Sequence, residues 1–193
     1  MTPKFIVTSG MGLAGRPGVH ELKTDLLLLT RLAGMALGPG PEAVDQSLNG
    51  LISRKAKQLR FTGELGKHLL LELDPRVHRD NPQRYVMLMG LGNHEKFDGR
   101  ACCQVFRTLI DKAIELRVKH LTIPFAPNRM TGMNLRGTAH LLREVVEEKA
   151  EALGQQFELE TIELYCTPAA KRHIEAGLKI PSRHKRACCI DES

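Results

Sequence analysis

A glycine turn at Gly90-Leu91-Gly92 follows the apolar run YVMLM and could bind a phosphate group. The order strand, glycine turn, helix is that of a phosphate-binding loop, in which free backbone amides at a helix N-terminus contact the anion. A dinucleotide fingerprint requires a third glycine where Glu95 stands, and no Walker-type Gly-Lys-Ser/Thr sequence occurs in the chain. The turn is therefore interpreted as a sharp exit of the chain from a buried strand.

Two other glycine turns are better placed to bind a ligand. Gly38-Pro39-Gly40 comes after the run DLLLLT, and the segment RMTGMN at 129–134 comes after HLTIP. Parallel strands form a ligand crevice at their carboxyl ends, and backbone amides in such turns can hold an anion. Turn chemistry without a ligand is the alternative for both segments. The predicted lining of a crevice is Gly38, Gly40, Arg129, Thr131, Gly132 and Asn134.

Cysteine and histidine provide no recognisable catalytic or metal motif. The chain has five cysteines and no Cys-x-x-Cys or His-Glu-x-x-His spacing, so no metal, cofactor or catalytic residue is predicted. Cys102 and Cys103 fall in the first turn of a predicted helix, where the helix dipole can lower the pKa of a thiol. Without an identifiable histidine partner, catalysis there is not expected.

The composition is that of an ordinary soluble domain. Of 193 residues, 42% are hydrophobic, 26% are charged and 4% are aromatic, so the core must be aliphatic. Reduced thiols and the lack of a signal peptide or of a long apolar run predict a cytoplasmic protein without membrane contact. The net charge of +6 allows weak nucleic-acid contact through the basic runs 54–60 and 179–186, or only a solvated surface.

Strand and helix patterns alternate along the chain. Asp98 is a predicted N-cap and Gly154 a predicted C-cap. The order favours a three-layer α/β fold with a largely parallel sheet. Strands are predicted at 4–8, 25–30, 68–73, 84–89, 120–124 and 160–166, and helices at 42–59, 99–116, 138–153 and 167–177.

The segments DLLLLTRL, FTGELGKHLLLEL and RYVMLMGLGNHEKFDGRACCQVFRTL, in this order, resemble the N-terminal domain of the leucyl (cytosol) aminopeptidase family. Phe61, Gly63 and Gly66 match the family's Phe-x-Gly-x-x-Gly segment, and the resemblance spans about residues 20–178. It implies a macro-domain-like fold with a mixed sheet. It also implies a non-catalytic role in the assembly of a hexameric enzyme and, in some members, in DNA contact.

The sequence departs from the family in its catalytic half. The Asn-Thr-Asp-Ala-Glu-Gly-Arg-Leu signature of the two-metal peptidase centre is absent, so the resemblance does not imply aminopeptidase activity. We therefore expect a stand-alone, non-catalytic binding or assembly module at 1–178, followed by a flexible basic tail at 179–193. Its expected partners are another protein or a second copy of this chain.

Macro domains suggest an alternative function, the binding of ADP-ribose or another phosphate-bearing ligand. The family's Asn-Ala-Asn position falls on Thr30-Arg31-Leu32, which does not match. The triple-glycine loop is reduced to the turn at 38–40, although Gly132 can stand for a glycine of the phosphate loop. ADP-ribose recognition is therefore less expected than the binding or assembly role, and ADP-ribose hydrolysis is less expected still.

Overall fold

The computed structural model describes residues 2–12, 14–76, 81–125 and 134–179. These residues form a sheet with helices on both of its faces. The strands are β1 (Lys4–Ser9), β2 (Thr24–Arg31), β3 (His68–Glu72), β4 (Gln83–Gly90), β5 (His120–Phe125) and β6 (Thr161–Cys166). The helices are α1 (Pro39–Ser47), α2 (Leu51–Gln58), α3 (Gly99–Glu115), α4 (Leu135–Leu153) and α5 (Pro168–Lys179).

The sheet is mixed and mostly parallel, as predicted. Its strand order is β1-β6-β5-β2-β4-β3, and β3 alone among these strands runs antiparallel to its neighbour, β4. The carboxyl ends of the five parallel strands therefore meet at one edge. Any ligand crevice of this fold is expected at that edge.

The central strand β2 is buried on both faces, which the unbroken run of leucines predicts. Leu26 and Leu28 pack into one hydrophobic core, and Leu27 and Leu29 pack into the other. The first core contains the inner faces of α3, α4 and α5, and the second contains those of α1 and α2. The predicted three-layer α/β/α architecture is confirmed.

The single helix predicted at 42–59 is wrong, because the chain breaks between α1 and α2. Asn49 and Gly50 adopt the left-handed conformation, with φ angles of 52° and 74°. Asp45 accepts a hydrogen bond from the backbone N–H of Ser53 at 3.1 Å, and this contact stabilises the first turn of α2. Asn-Gly is a strong turn signal, and here it outweighs the helical spacing of the apolar residues.

The Gly90-Leu91-Gly92 turn has the structural role expected of it. A Cβ on Gly90 would lie 2.0 Å from the Glu64 carbonyl oxygen, and Gly92 has a φ of 70°. Gly66 donates a hydrogen bond to the Gly90 carbonyl at 3.1 Å, and Gly92 donates to the Gly63 carbonyl at 2.9 Å. The backbone of the turn therefore packs against the backbone of the segment that carries the Phe-x-Gly-x-x-Gly pattern. The predicted N-cap is also present: Asp98 Oδ1 accepts a hydrogen bond from the Ala101 N–H at 2.9 Å at the start of α3.

Candidate functional site

A crevice of about 620 Å³ opens at the carboxyl edge of the sheet. It lies where β2 and β5 are neighbours. After β2 the chain turns to α1 on one face, and the next helix after β5 is α4 on the other face. The place where neighbouring parallel strands lead to helices on opposite faces is the general ligand position of open α/β sheets.

The crevice is largely apolar. No carboxylate is found among its described lining residues, and the polar side chains there are His20, Thr30 and Arg31. An apolar floor with few polar groups is typical of sites for small organic ligands. The apolar lining consists of Met11, Val19, Leu28, Leu29, Leu32, Met35, Ala36, Pro39, Pro41, Ala43, Leu91 and Pro124.

Of the residues predicted to line a crevice, Gly38 and Gly40 do so. Arg129, Thr131 and Gly132 lie outside the described residues. Asn134 lines a smaller adjoining cavity of about 110 Å³. Its Oδ1 accepts a hydrogen bond from the Gly137 N–H at 2.7 Å and so caps α4.

The start of α1 offers few donors to an anion. Gly38 is the N-cap, and its backbone is extended, with φ −74° and ψ 172°, as is typical of that position. Pro39 and Pro41 carry no N–H. Of the four residues at 38–41, only Gly38 and Gly40 can donate a backbone hydrogen bond. This is fewer than an ordinary helix N-terminus provides, so this turn alone is a weak phosphate cradle.

His20 belongs to the crevice but was not predicted from the sequence. Its Nδ1 is buried and has no hydrogen-bond partner within the described part of the chain. Gln83 Nε2 donates to the carbonyl oxygens of His20 and Leu22 at 3.0 and 2.7 Å, which fixes the backbone at this position. The glycine-rich run SGMGLAGRPG after β1 is the sequence signal that could have placed this loop beside the crevice.

Arg31 also lines the crevice, and its guanidinium holds the wall in place. Its Nε donates to the Met35 carbonyl at 2.9 Å, and its Nη1 donates to the Phe61 carbonyl at 3.0 Å. These contacts join the chain after β2 to the segment before β3. Arg31 therefore positions the crevice wall through backbone oxygens.

The helix dipole at the start of α3 does not lower the pKa of the Cys102 thiol. Burial, with a smaller contribution from the neighbouring Cys103, raises the pKa of the Cys102 thiol to about 12. Desolvation of the thiolate outweighs the favourable field of the helix N-terminus at this site. Cys102 is thus an inert core residue, and it lines the smaller cavity.

Within residues 2–12, 14–76, 81–125 and 134–179, no group of three or more histidine, cysteine, aspartate or glutamate side chains is arranged to hold a metal ion. In the same part of the chain, no helix is both long and apolar enough to cross a membrane.

The sheet order, the helices on both faces and the crevice define a macro-domain-like α/β protein. A Trypanosoma brucei macrodomain in complex with ADP superimposes with a TM-score of 0.68 at 14% identity, over 90% of this chain and 68% of that chain. A mutant of tomato leucine aminopeptidase superimposes with a TM-score of 0.64 at 16% identity, over 92% of this chain and 36% of that chain. At such identities the likeness establishes the fold alone.

The sequence then establishes the family. The model of the cytosol aminopeptidase family N-terminal domain matches residues 29–152, so the chain belongs to this family. A probable cytosol aminopeptidase of Cupriavidus taiwanensis is 34% identical over 97 residues, which is 50% of this chain and 18% of that protein. The match thus spans less than a fifth of the relative's length and covers only its N-terminal portion.

Proposed function

We propose that this chain is a non-catalytic binding module of the cytosol aminopeptidase family and that it acts in the cytoplasm. The observation that carries the proposal is the apolar crevice at the switch point between β2 and β5. Two further observations support it. The family match covers the N-terminal domain, and the described residues hold no cluster of metal-ligating side chains of the kind that a two-metal peptidase needs.

A peptidase assay tests the non-catalytic part of this proposal. Purified protein is incubated with leucine p-nitroanilide and with Mn²⁺ or Zn²⁺, and the release of p-nitroaniline is followed by absorbance. We expect no release above a metal-only control. Turnover that co-purifies with the chain and is abolished by a chelator would show that the chain is itself an enzyme.

For the crevice, we propose a nucleotide or another small ligand that combines an apolar ring with a phosphate. The crevice floor can cover the face of a base, and the amides of Gly38 and Gly40 can meet an anion. The fold neighbour from Trypanosoma brucei was solved in complexes with ADP and with ADP-ribose. Because Pro39 and Pro41 have no backbone N–H to donate to a phosphate, we expect the base to contribute more to binding than the phosphate does.

Calorimetry with adenosine, ADP and ADP-ribose tests the ligand class. A Gly40→Phe variant is designed to block the crevice, because a Cβ at Gly40 would point to Val19 at 3.6 Å and would meet no backbone. Ala169→Phe, at an exposed position of α5, is the matched control for an added ring. We expect binding that Gly40→Phe abolishes and Ala169→Phe preserves. No heat from any of the three ligands at about 1 mM would exclude this ligand class.

A role in assembly is the second proposed function, and membership of the aminopeptidase family supports it. In this case the chain would associate with copies of itself or with another protein. Sedimentation velocity over a hundredfold range of protein concentration tests self-association. A single monomeric species throughout would leave only an association with a different protein.

A further inference from the structure

The large hydrophobic side chains that are exposed in the described part of the chain share one region. They are Met35, Leu59 and Leu65, which are 53%, 63% and 36% exposed. Isolated exposed leucines are common on soluble proteins, but grouped ones mark interaction sites. The position of these three side chains therefore makes this region a candidate interaction site.

Hydrogen bonds hold these side chains on neighbouring segments. The Gly34 N–H donates to the Thr62 carbonyl at 3.2 Å, and Arg31 binds the carbonyls of both Met35 and Phe61. The chain around Met35 is thus fixed beside the segment 59–65, which carries Leu59 and Leu65. We call the surface formed by Met35, Leu59, Arg60, Phe61 and Leu65 the Leu59 surface.

Two depressions, of about 460 and 640 Å³, adjoin part of the Leu59 surface. Arg60 and Phe61 of this surface line both depressions, together with Thr62. Arg60 is held in the left-handed conformation, with a φ of 52°. Depressions beside exposed apolar side chains can receive the side chains of a docked segment.

Positive charge surrounds the Leu59 surface. Helix α2 has no acidic residue in its sequence LISRKAKQ. Three carboxylates line the depressions: Glu64 is paired with Lys67, while Glu42 and Asp45 keep their negative charge, Asp45 accepting a hydrogen bond from Ser53. Four cations line the same depressions and outnumber them: Arg31, Lys57, Arg60 and Lys67. The exposed cations of α2 and its C-terminal end are Arg54, Lys55, Lys57 and Arg60.

We propose that the Leu59 surface docks an acidic segment of another protein, with leucine-like side chains between its carboxylates. Exposed aliphatic anchors favour a protein over nucleic acid, which is bound through phosphate contacts and aromatic stacking. A second copy of this chain is disfavoured, because a symmetric contact would bring two cationic rims together. This site shares Met35 with the crevice, but Leu59, Arg60, Phe61 and Leu65 lie outside the crevice lining, and docking here does not depend on a ligand in the crevice.

A fluorescent helical peptide with leucine at every third or fourth position and glutamate between tests this proposal. Fluorescence anisotropy is expected to show binding with a Kd below about 1 mM that weakens as salt is added. Leu59→Ser is expected to weaken binding about tenfold, and Lys57→Glu several-fold. Arg172→Glu, at an exposed position of α5, is the matched control and should leave binding unchanged. The side chains of Leu59, Lys57 and Arg172 are exposed, so all three variants should fold.

Several results would overturn the proposal. They are no binding at about 1 mM peptide, equal binding of a peptide with lysine in place of glutamate, or unchanged binding by Leu59→Ser. Tighter binding of a DNA duplex that Lys57→Glu abolishes would assign the surface to nucleic acid instead. Dimerisation of the chain that Leu59→Ser abolishes would assign it to a second copy.

Discussion

Gly90 illustrates how a residue that looks like part of a ligand site can be required by packing. Its hydrogen atom faces the backbone of Gly63 and Glu64, and any side chain would displace that segment. The Gly-Leu-Gly pattern and the Phe-x-Gly-x-x-Gly pattern therefore occur together because their backbones touch. Their order in the sequence reflects this contact more than any phosphate chemistry.

Replacing Gly90 by alanine should destabilise the protein by about 3 kcal/mol, because the new Cβ would overlap the Glu64 carbonyl oxygen. Gly40→Ala is the matched control, since its Cβ would meet Val19 at an ordinary 3.6 Å. The free energy of unfolding in urea measures both changes. A loss for Gly90→Ala no larger than that for Gly40→Ala would show that the two segments are not in close contact.

Cys102 should make stability fall at alkaline pH. Burial raises the pKa of its thiol from 9.0 to about 12, so only the unfolded chain ionises this group between those values. The stabilisation that the neutral, buried thiol gives the folded state is complete below pH 9. Above pH 9 the free energy of unfolding declines, with a limiting slope of about 1.4 kcal/mol per pH unit. Urea unfolding from pH 8 to pH 10.5 should show a shallower decline for Cys102→Ala than for the wild type. Parallel curves would contradict the buried thiol.

At the residue scale, the sequence predicts what depends on near neighbours. The Asp98 cap and the positions of Gly38 and Gly40 follow from residues close by in the chain. His20 and Arg31 could not be assigned to the crevice in this way. Their positions depend on Gln83 and Phe61, which are 63 and 30 residues away.

At the element scale, the break between α1 and α2 shows how turn chemistry and apolar spacing compete. Leu48 and Ile52 are both buried on either side of the break, so the hydrophobic pattern continues through it. That continuity explains why the spacing predicted one helix. The strands were more predictable, since the leucine run of β2 required burial on both faces.

The break itself can be tested at Gly50. Gly50→Ala should cost about 1–2 kcal/mol, because an alanine is strained at a φ of 74°. Asn49→Gly should change stability little, because asparagine already tolerates the left-handed conformation. Urea unfolding measures both. If α1 and α2 were one continuous helix, Gly50→Ala would instead be stabilising.

A partly buried ion pair joins α3 to α4. Arg107 donates two hydrogen bonds to Glu148, at 3.0 and 2.6 Å, and this contact raises the pKa of the guanidinium. A double-mutant cycle with Arg107→Met and Glu148→Gln should give a coupling energy of about 1.5 kcal/mol. The exposed pair Lys119–Glu160 is the control and should show little coupling. Equal coupling in both pairs would contradict the role of burial.

At the scale of the whole molecule, the same sheet supports two candidate binding surfaces. The carboxyl edge carries the crevice, and the segment between α2 and β3 carries the Leu59 surface. Arg31 contacts both, because it lines the crevice and binds the Phe61 carbonyl. The crevice was foreseeable from the glycine turn at 38–40, which follows a parallel strand. The Leu59 surface was not, because residues 35 and 59–65 are brought together only by tertiary hydrogen bonds.

The crevice of this family member is proposed to bind a small ligand. An amide-resolved NMR titration of the chain with ADP-ribose tests it most directly. We predict that the amide signals of Gly12, Gly18, Gly38 and Gly40 shift in a saturable manner, while those of Gly154 and Gly177 stay in place. Saturable shifts confined to residues outside the crevice, or no shifts at about 1 mM ligand, would contradict the account.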